Sequence, residues 1–323
     1  MTKILICFDG TGNEMGNAED DSLSNIAKIA IRAGWMGNEQ SSAVLEQKVL
    51  YYPGPGTRGG PFLRTIRKLS SPEATIGRIV RKAEKDLNGL GVSPEDEIII
   101  IGFSRGAAIA RRFAALLGNS ELNGGKIFAQ ECPVKDVKLL ICFDTVAQIG
   151  RPDRSDYPDD SVVFEDNVLS ATIGRAYHLV SIDEHRSLFP ATLMGYEEGE
   201  RITEVWFRGV HSDVGGGYPE HGLSDVTLEY AVDKLEKEIV VRDPSDITIF
   251  PEGIEYPDIH FMPDPFAVMH LHRLGREERM VHVIAHDRPS SEYQPKVHTS
   301  VRLVMDKSRY LAVRNTQNWT WVQ

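Results

Sequence analysis

The stretch Glu97–Phe113, EIIIIGFSRGAAIARRF, constrains the fold of this chain more than any other. Four consecutive isoleucines have no polar face to offer water, so they predict a strand covered on both sides, as in a parallel sheet. The alanine-rich run that follows predicts a helix over Arg105–Leu117, with Gly118 placed to cap it. Between the two lies Gly102-Phe103-Ser104-Arg105-Gly106, a G-x-S-x-G pattern in the strand–turn–helix context of a nucleophile elbow. The flanking glycines let such a turn close without Cβ clashes. The serine hydroxyl then projects above the sheet, the helix N-terminus favours negative charge beside it, and the Arg105 N–H is available to an oxyanion.

The remaining pattern agrees with an α/β fold. Lys3–Phe8, Val137–Phe143 and Arg201–Val210 read as strands, and Val49–Tyr52 is a short apolar run ended by PGPGT. Ser22–Ala33, Pro72–Leu90 and Ser224–Leu235 carry apolar residues at helical spacing. Alternating strands and helices predict a mostly parallel central sheet flanked by helices. At 323 residues the chain has room for one large domain or two small ones, and we expect a single α/β-hydrolase-like domain over 1–323. Arg151–Asp166, rich in Asp, Pro and Ser, reads as a surface excursion. Pro251–Pro265, with four prolines, reads as a long loop. A lid is expected from Arg151–Asp166 or from Pro251–Arg273.

Charge and cysteine content exclude several classes. The 36 Lys and Arg against 47 Asp and Glu give a net charge of −11, which disfavours nucleic acid as a partner and attraction to anionic membranes. Cys7, Cys132 and Cys142 lack CxxC spacing, and Cys7 and Cys142 sit in apolar runs, as buried thiols do. The apolar run before Asp9 is short for a signal peptide, and no run is long enough to span a bilayer. The expectation is a protein that is cytoplasmic or exported without a cleaved signal, with at most peripheral membrane contact. Trp319 and Trp321 suit either a membrane interface or an edge strand packed on the core. Oligomeric state leaves no mark on the sequence.

A serine nucleophile needs a base, and the base needs an orienting carboxylate. In α/β-hydrolases the order along the chain is Ser, then Asp or Glu, then His. Two carboxylates follow apparent strands: Asp144 in LLICFDTVAQIG and Asp213 in VWFRGVHSDVGGGY. Asp213 is favoured because it follows the later strand and precedes a glycine run; Asp144 is the alternate. For the base, His298 in KVHTSV is favoured, with His211 the competitor two residues from Asp213. The loop Asp9-Gly10-Thr11-Gly12-Asn13 follows the first strand, so Gly10 or Thr11 is a candidate second oxyanion donor beside Arg105.

Seven segments occur in order: CFDGTGN, YYPGPGT, GFSRGAAIARRFA, CFDTVAQIG, AYHLVSIDEHRSLF, WFRGVHSDVGGGYPEHGLSDVTLEY and VHTSV. Together they resemble the DUF2235 family of α/β-hydrolases, whose best-known members are type VI secretion lipase effectors that act as phospholipases. The resemblance runs from about Lys3 to about Arg302. It implies a serine esterase or lipase acting on a lipid or small ester, with Ser104 as nucleophile and Asp213 and His298 completing the triad. No metal or organic cofactor is required by that chemistry.

Two other classes compete. A metal-dependent phosphoesterase would collect its ion on Asp9, Asp144, His211 and Asp213. The aspartate-nucleophile form of that chemistry needs a carboxylate two residues before Asp9, where this chain has Cys7. The third class is a catalytically silent binding module on a hydrolase fold.

Overall fold

Lys3–Phe8 forms β1, whose residues are almost all buried because alternate side chains enter opposite layers. The computed structural model describes residues 1–15, 22–37, 43–56, 73–118, 132–147, 169–251, 259–272, 278–286, 288–308, 310 and 318–323. Within them the elements after β1 are α1 (Asn25–Arg32), β2 (Gln47–Tyr52), α2 (Glu73–Gly89), β3 (Glu97–Phe103), α3 (Arg105–Gly118), β4 (Val137–Phe143), β5 (Ala176–Ser181), β6 (Ile202–Phe207), α4 (His211–Gly215), α5 (Gly222–Leu235), β7 (Val283–Ala285), β8 (Arg288–Ser290), β9 (Lys296–His298), α6 (Thr299–Lys307) and β10 (Thr320–Val322). Arg151–Asp166 lies outside the described residues, as does 252–258 of the proline-rich loop.

Eight strands form one sheet in the order β10-β9-β6-β5-β4-β3-β1-β2, every neighbouring pair parallel. The expected parallel sheet between helical layers is therefore present. On one face Ile4, Ile6, Phe8, Ile98 and Ile100 pack with Ile76, Val80 and Leu87 of α2 and Ile109 and Phe113 of α3. On the other, Leu5, Cys7, Ile99 and Ile101 pack with Ile26 and Ile29 of α1 and Leu228, Ala231 and Leu235 of α5. Burial on both faces is what the isoleucine run demanded.

The chain reverses its direction of travel across the sheet between β1 and β3. It leaves β1 for β2 at one edge, then returns to lay β3 on the other side of β1. Loops at the carboxyl ends of strands diverge at such a switch point and leave a crevice. The two loops concerned are Asp9–Asn13 after β1 and the Ser104 elbow after β3.

Several boundaries differ from expectation for local reasons. α1 starts at Asn25 because the Ser24 hydroxyl caps it, accepting from the Ala27 N–H at 3.1 Å. β5 is obscured in the sequence by His178, which is fully buried yet paired at both ring nitrogens. Nε2 accepts from the Thr145 N–H at 3.0 Å and Nδ1 lies 2.7 Å from Glu204. Of the two readings of the C-terminal tryptophans, the edge strand holds: Trp319 is buried beside Val297 and Val301, and β10 pairs with β9 at the sheet edge.

Gly106 shows how closely the elbow helix approaches β1. A Cβ there would overlap the Phe8 and Asp9 carbonyl oxygens. Gly106→Ala should therefore push α3 away from β1 and cost about 1–3 kcal/mol, the usual range for overpacking. Urea denaturation measures the loss; an unchanged midpoint would show that the approach is not constrained.

Candidate active site

Ser104 sits at the end of β3 with φ of 57°, a left-handed conformation that costs a non-glycine residue about 1–3 kcal/mol and persists only where the surroundings enforce it. Here β4 enforces it. The Ser104 N–H donates to the Phe143 carbonyl at 3.0 Å, and the Ser104 carbonyl accepts from Val146 at 3.2 Å. The same contacts bring the turn after β4 beside the serine, and that turn holds Asp144, itself at φ 37°. Two of the four non-glycine positive-φ residues in the described chain are thus neighbours at one crevice.

Asp144 is fully buried and every lone-pair direction of its carboxylate is used. Oδ2 lies 2.6 Å from His211 Nδ1, and Oδ1 accepts from the Ser181 N–H at 3.0 Å. Arg279 adds Nη1 to Oδ1 at 2.6 Å and Nη2 to Oδ2 at 3.1 Å. Burial opposes the carboxylate's charge, but the Arg279 guanidinium and the His211 bond outweigh it and hold Asp144 well below the usual carboxylate range.

His211 opens α4, and its ring packs against Phe103 at 4.7 Å and Phe189 at 4.9 Å between centroids. Its backbone N–H donates to Glu184 Oε2 at 3.2 Å. Glu184 is in turn gripped by Arg186 through Nε at 2.8 Å and Nη2 at 2.7 Å. With Nδ1 donating to an ionised Asp144, Nε2 keeps its lone pair and is the nitrogen that can take a proton. Burial lowers the His211 pKa, Asp144 pulls it upward and Arg279 pushes it down again; the result lies below the ordinary value of 6.5. Each of these influences acts on the free Nε2, and their balance favours the neutral imidazole.

The structure does not bring Asp213 and His298, the favoured pair of the sequence reading, together. Asp213 lies in the first turn of α4, where Oδ2 accepts from the Val210 N–H at 3.0 Å. Its Oδ1 pairs with His270 Nδ1 at 2.6 Å, tying the loop at 270 to the helix start. His298 caps α6, its Nδ1 within 2.8 Å of the Ser300 hydroxyl, and its ring stacks on Phe207 at 4.7 Å. The two alternates, Asp144 and His211, are the pair that meets at the serine's neighbouring strand. Arg279 and His270 escaped sequence reasoning because neither sits in a periodic segment or a motif; only the chemistry of their partners reveals them.

The Asp9–Asn13 loop lies across the crevice and is held by its own buried carboxylate. Asp9 accepts from the Gly10 N–H at 2.7 Å, the Ser24 hydroxyl at 2.8 Å and the Tyr51 hydroxyl at 2.6 Å. The loop interlocks with the following one: Gly12 N–H donates to Pro55 and Gly54 N–H to Asn13, both at 3.0 Å. Thr11 Oγ1 is buried without a hydrogen-bond partner among the described residues. A buried hydroxyl is seldom left so. Arg105 is the first residue of α3, where backbone N–H groups point out of the helix end. Beside this loop a pocket of about 340 Å³ is walled by Tyr51, Tyr52, Pro55 and Ile79, with Arg78 and Lys82 at its lining. The four groups of the metal reading do not converge, since Asp9 is engaged by Ser24 and Tyr51 and Asp213 by His270. No group of three or more His, Cys, Asp or Glu side chains among the described residues is arranged to hold a metal.

A parallel sheet whose strand–elbow–helix carries a strained serine at the switch point defines an α/β-hydrolase. Residues 2–126 and 126–234 match the family described as the catalytic domain of type VI secretion system (T6SS) Tle1-like phospholipase effectors. The chain belongs to that family, in agreement with the DUF2235 resemblance of its motifs. Among solved structures it is similar to an uncharacterised protein from Pseudomonas aeruginosa, at 21% identity over 80% of this chain and 48% of that one, TM-score 0.49. It is also similar to the Tle1 effector bound to the VgrG spike of the type VI secretion system, at 23% identity over 68% of this chain and 52% of that one, TM-score 0.42. Esterase 2 of Thermogutta terrifontis follows at 14% identity over 75% of this chain and 85% of that one, TM-score 0.38. The chain spans about half the length of the first two. No curated protein sequence matches it.

The position of His298 has a pH consequence. Burial, reinforced by the Lys234 ammonium, brings its pKa down to about 4 from 6.5. The unfolded chain takes up a proton there between those values while the native state does not, so the contribution to stability is present above pH 6.5 and is lost as pH falls toward 4. His298→Phe should make stability less pH-dependent across that window by roughly one proton. Urea midpoints at pH 7 and pH 4.5 test this; equal slopes for the two proteins would place the histidine in solvent.

Proposed function

We propose that the chain hydrolyses carboxylic esters of phospholipids through an acyl-enzyme on Ser104. The observation that carries this reading is the 2.6 Å bond between Asp144 and His211 beside the strained serine. His211 Nε2 takes the Ser104 proton as Oγ attacks the ester carbonyl. Asp144 stays ionised and stabilises the imidazolium. The oxyanion accepts from the Arg105 N–H and from Thr11, whose buried hydroxyl has no other described partner. As the tetrahedral intermediate collapses, His211 protonates the leaving alcohol. Water, deprotonated by the same imidazole, then attacks the acyl-enzyme; a second collapse releases the fatty acid and restores Ser104.

Phospholipid as the substrate is supported by the family's description and by the pocket beside the Asp9–Asn13 loop. Its aromatic and aliphatic walls suit an acyl chain, and the two cationic side chains suit a phosphate.

The test is release of fatty acid from phosphatidylglycerol–phosphatidylethanolamine vesicles and of nitrophenol from p-nitrophenyl butyrate. Ser104→Ala and His211→Gln should abolish both, and Asp144→Asn should lower kcat/KM about 10,000-fold, as loss of the orienting carboxylate does in serine hydrolases. Asp213→Asn and His298→Phe should each retain kcat/KM within about tenfold, since they touch none of the reacting atoms. Loss with His298→Phe and survival with His211→Gln would reverse the assignment of the base. Butyrate hydrolysis without fatty-acid release would remove phospholipid as the substrate and leave the serine mechanism standing.

A further inference from the structure

We propose that Arg279 is a positioning residue for the His211 base, fixing the imidazole through both the carboxylate that orients it and the aromatic segment that packs on it. The inference rests on the reading of Ser104, His211 and Asp144 as nucleophile, base and orienting carboxylate. Arg279 lies 135 residues from Asp144 in the chain, in the stretch that follows the proline-rich loop. Its guanidinium spans four oxygens. Nη1 reaches Asp144 Oδ1 at 2.6 Å and the Ser181 carbonyl at 3.0 Å; Nη2 reaches Asp144 Oδ2 at 3.1 Å and the Phe189 carbonyl at 2.5 Å.

Those four oxygens belong to the parts that hold His211. Asp144 Oδ2 takes the Nδ1 proton, and the Phe189 ring covers one side of the imidazole. Ser181 ties the two together, donating its N–H to Asp144 and its hydroxyl to the Gly209 carbonyl, two residues before the histidine. A planar guanidinium can bridge a carboxylate and two carbonyls at once; a lysine ammonium cannot match that fork.

Stability alone does not account for the residue. The Arg279 side chain is 9% exposed and its partner is fully buried, so the desolvation of both charges consumes much of what their attraction returns. The Arg279 Nε–H is also buried with no partner among the described residues. A staple meant only to hold the loop would be better made of apolar side chains.

The arrangement also sets the protonation of the base. The charged groups around His211 are Asp144 on β4's turn, Arg279, and Glu184 after β5, the last neutralised by Arg186; Asp213 on the same helix is turned to His270. Arg279, itself paired with Asp144, is the cation that opposes formation of the imidazolium outside catalysis. It keeps the base neutral at lower pH and keeps Asp144 ionised throughout the cycle.

The test is the pH profile of kcat/KM on p-nitrophenyl butyrate for Arg279→Gln, Arg279→Lys and Arg279→Ala, with Ser104→Ala and His211→Gln alongside. Arg279→Gln should lower kcat/KM about 100-fold, the scale of a misplaced catalytic group, and move the acid limb to higher pH. Arg279→Lys keeps the charge, so its acid limb should stay near that of the wild type while kcat/KM still falls about tenfold. Guanidinium chloride at tens of millimolar should restore activity to Arg279→Ala, and sodium chloride at the same ionic strength should not. Wild-type kcat/KM and an unmoved acid limb in a folded Arg279→Gln would overturn the proposal. Where that variant does not fold, wild-type kcat/KM in Arg279→Lys overturns it equally. Activity surviving in His211→Gln would instead overturn the underlying assignment of the base, whatever the Arg279 variants do.

Discussion

The backbone contact between Ser104 and the end of β4 organises this molecule. Ser104 donates to Phe143 and accepts from Val146, and the left-handed serine is possible only because its strand is locked in parallel register with β4. That register is enforced in turn by the isoleucines of β3, which are buried on both faces and cannot slip by one residue without exchanging layers. The cost of two positive-φ residues, a few kcal/mol in all, is small beside the burial of an eight-stranded sheet. The sheet can therefore hold the elbow and the Asp144 turn in geometries that neither would adopt alone.

Around this contact the charges are arranged in a graded series. Asp144 is a fully buried carboxylate, Arg279 balances its charge through both oxygens, and His211 commits Nδ1 to the same group. Glu184 anchors the histidine's backbone, and Arg186 cancels its charge. The same principle holds in the Asp9–Asn13 loop, where a buried carboxylate organises backbone amides and Tyr51 and Ser24 satisfy its oxygens. Both carboxylates shape loops at the switch point, one on each side of the nucleophile strand.

Much of the fold was legible in the sequence because its signals are local. The isoleucine run, the glycines of the elbow and the helical faces of α1, α2 and α5 each report their own environment within a few residues. Ser104 was legible for the same reason. The pairing of Asp144 with His211 was not, because it joins strand ends 67 residues apart in the chain. In HSDVGGG the aspartate looks like the functional group, yet it caps the helix that His211 begins. His298 reads as a polar loop residue before a helix, and it is indeed a cap, stacked on Phe207 and Tyr230. Histidine at a strand end is equally compatible with capping and with catalysis until its ring partners are known. Arg279 carries no local signal at all.

The most direct measurement is a crystal structure of the adduct formed with a fluorophosphonate. The account predicts phosphorus bonded to Ser104 Oγ, His211 Nε2 within about 3 Å of a phosphonyl-ester oxygen, and the phosphonyl oxygen held by the Arg105 N–H and Thr11. An adduct on Ser104 that faces His298 or His270 instead, with His211 still shut between Phe103 and Phe189, would contradict it.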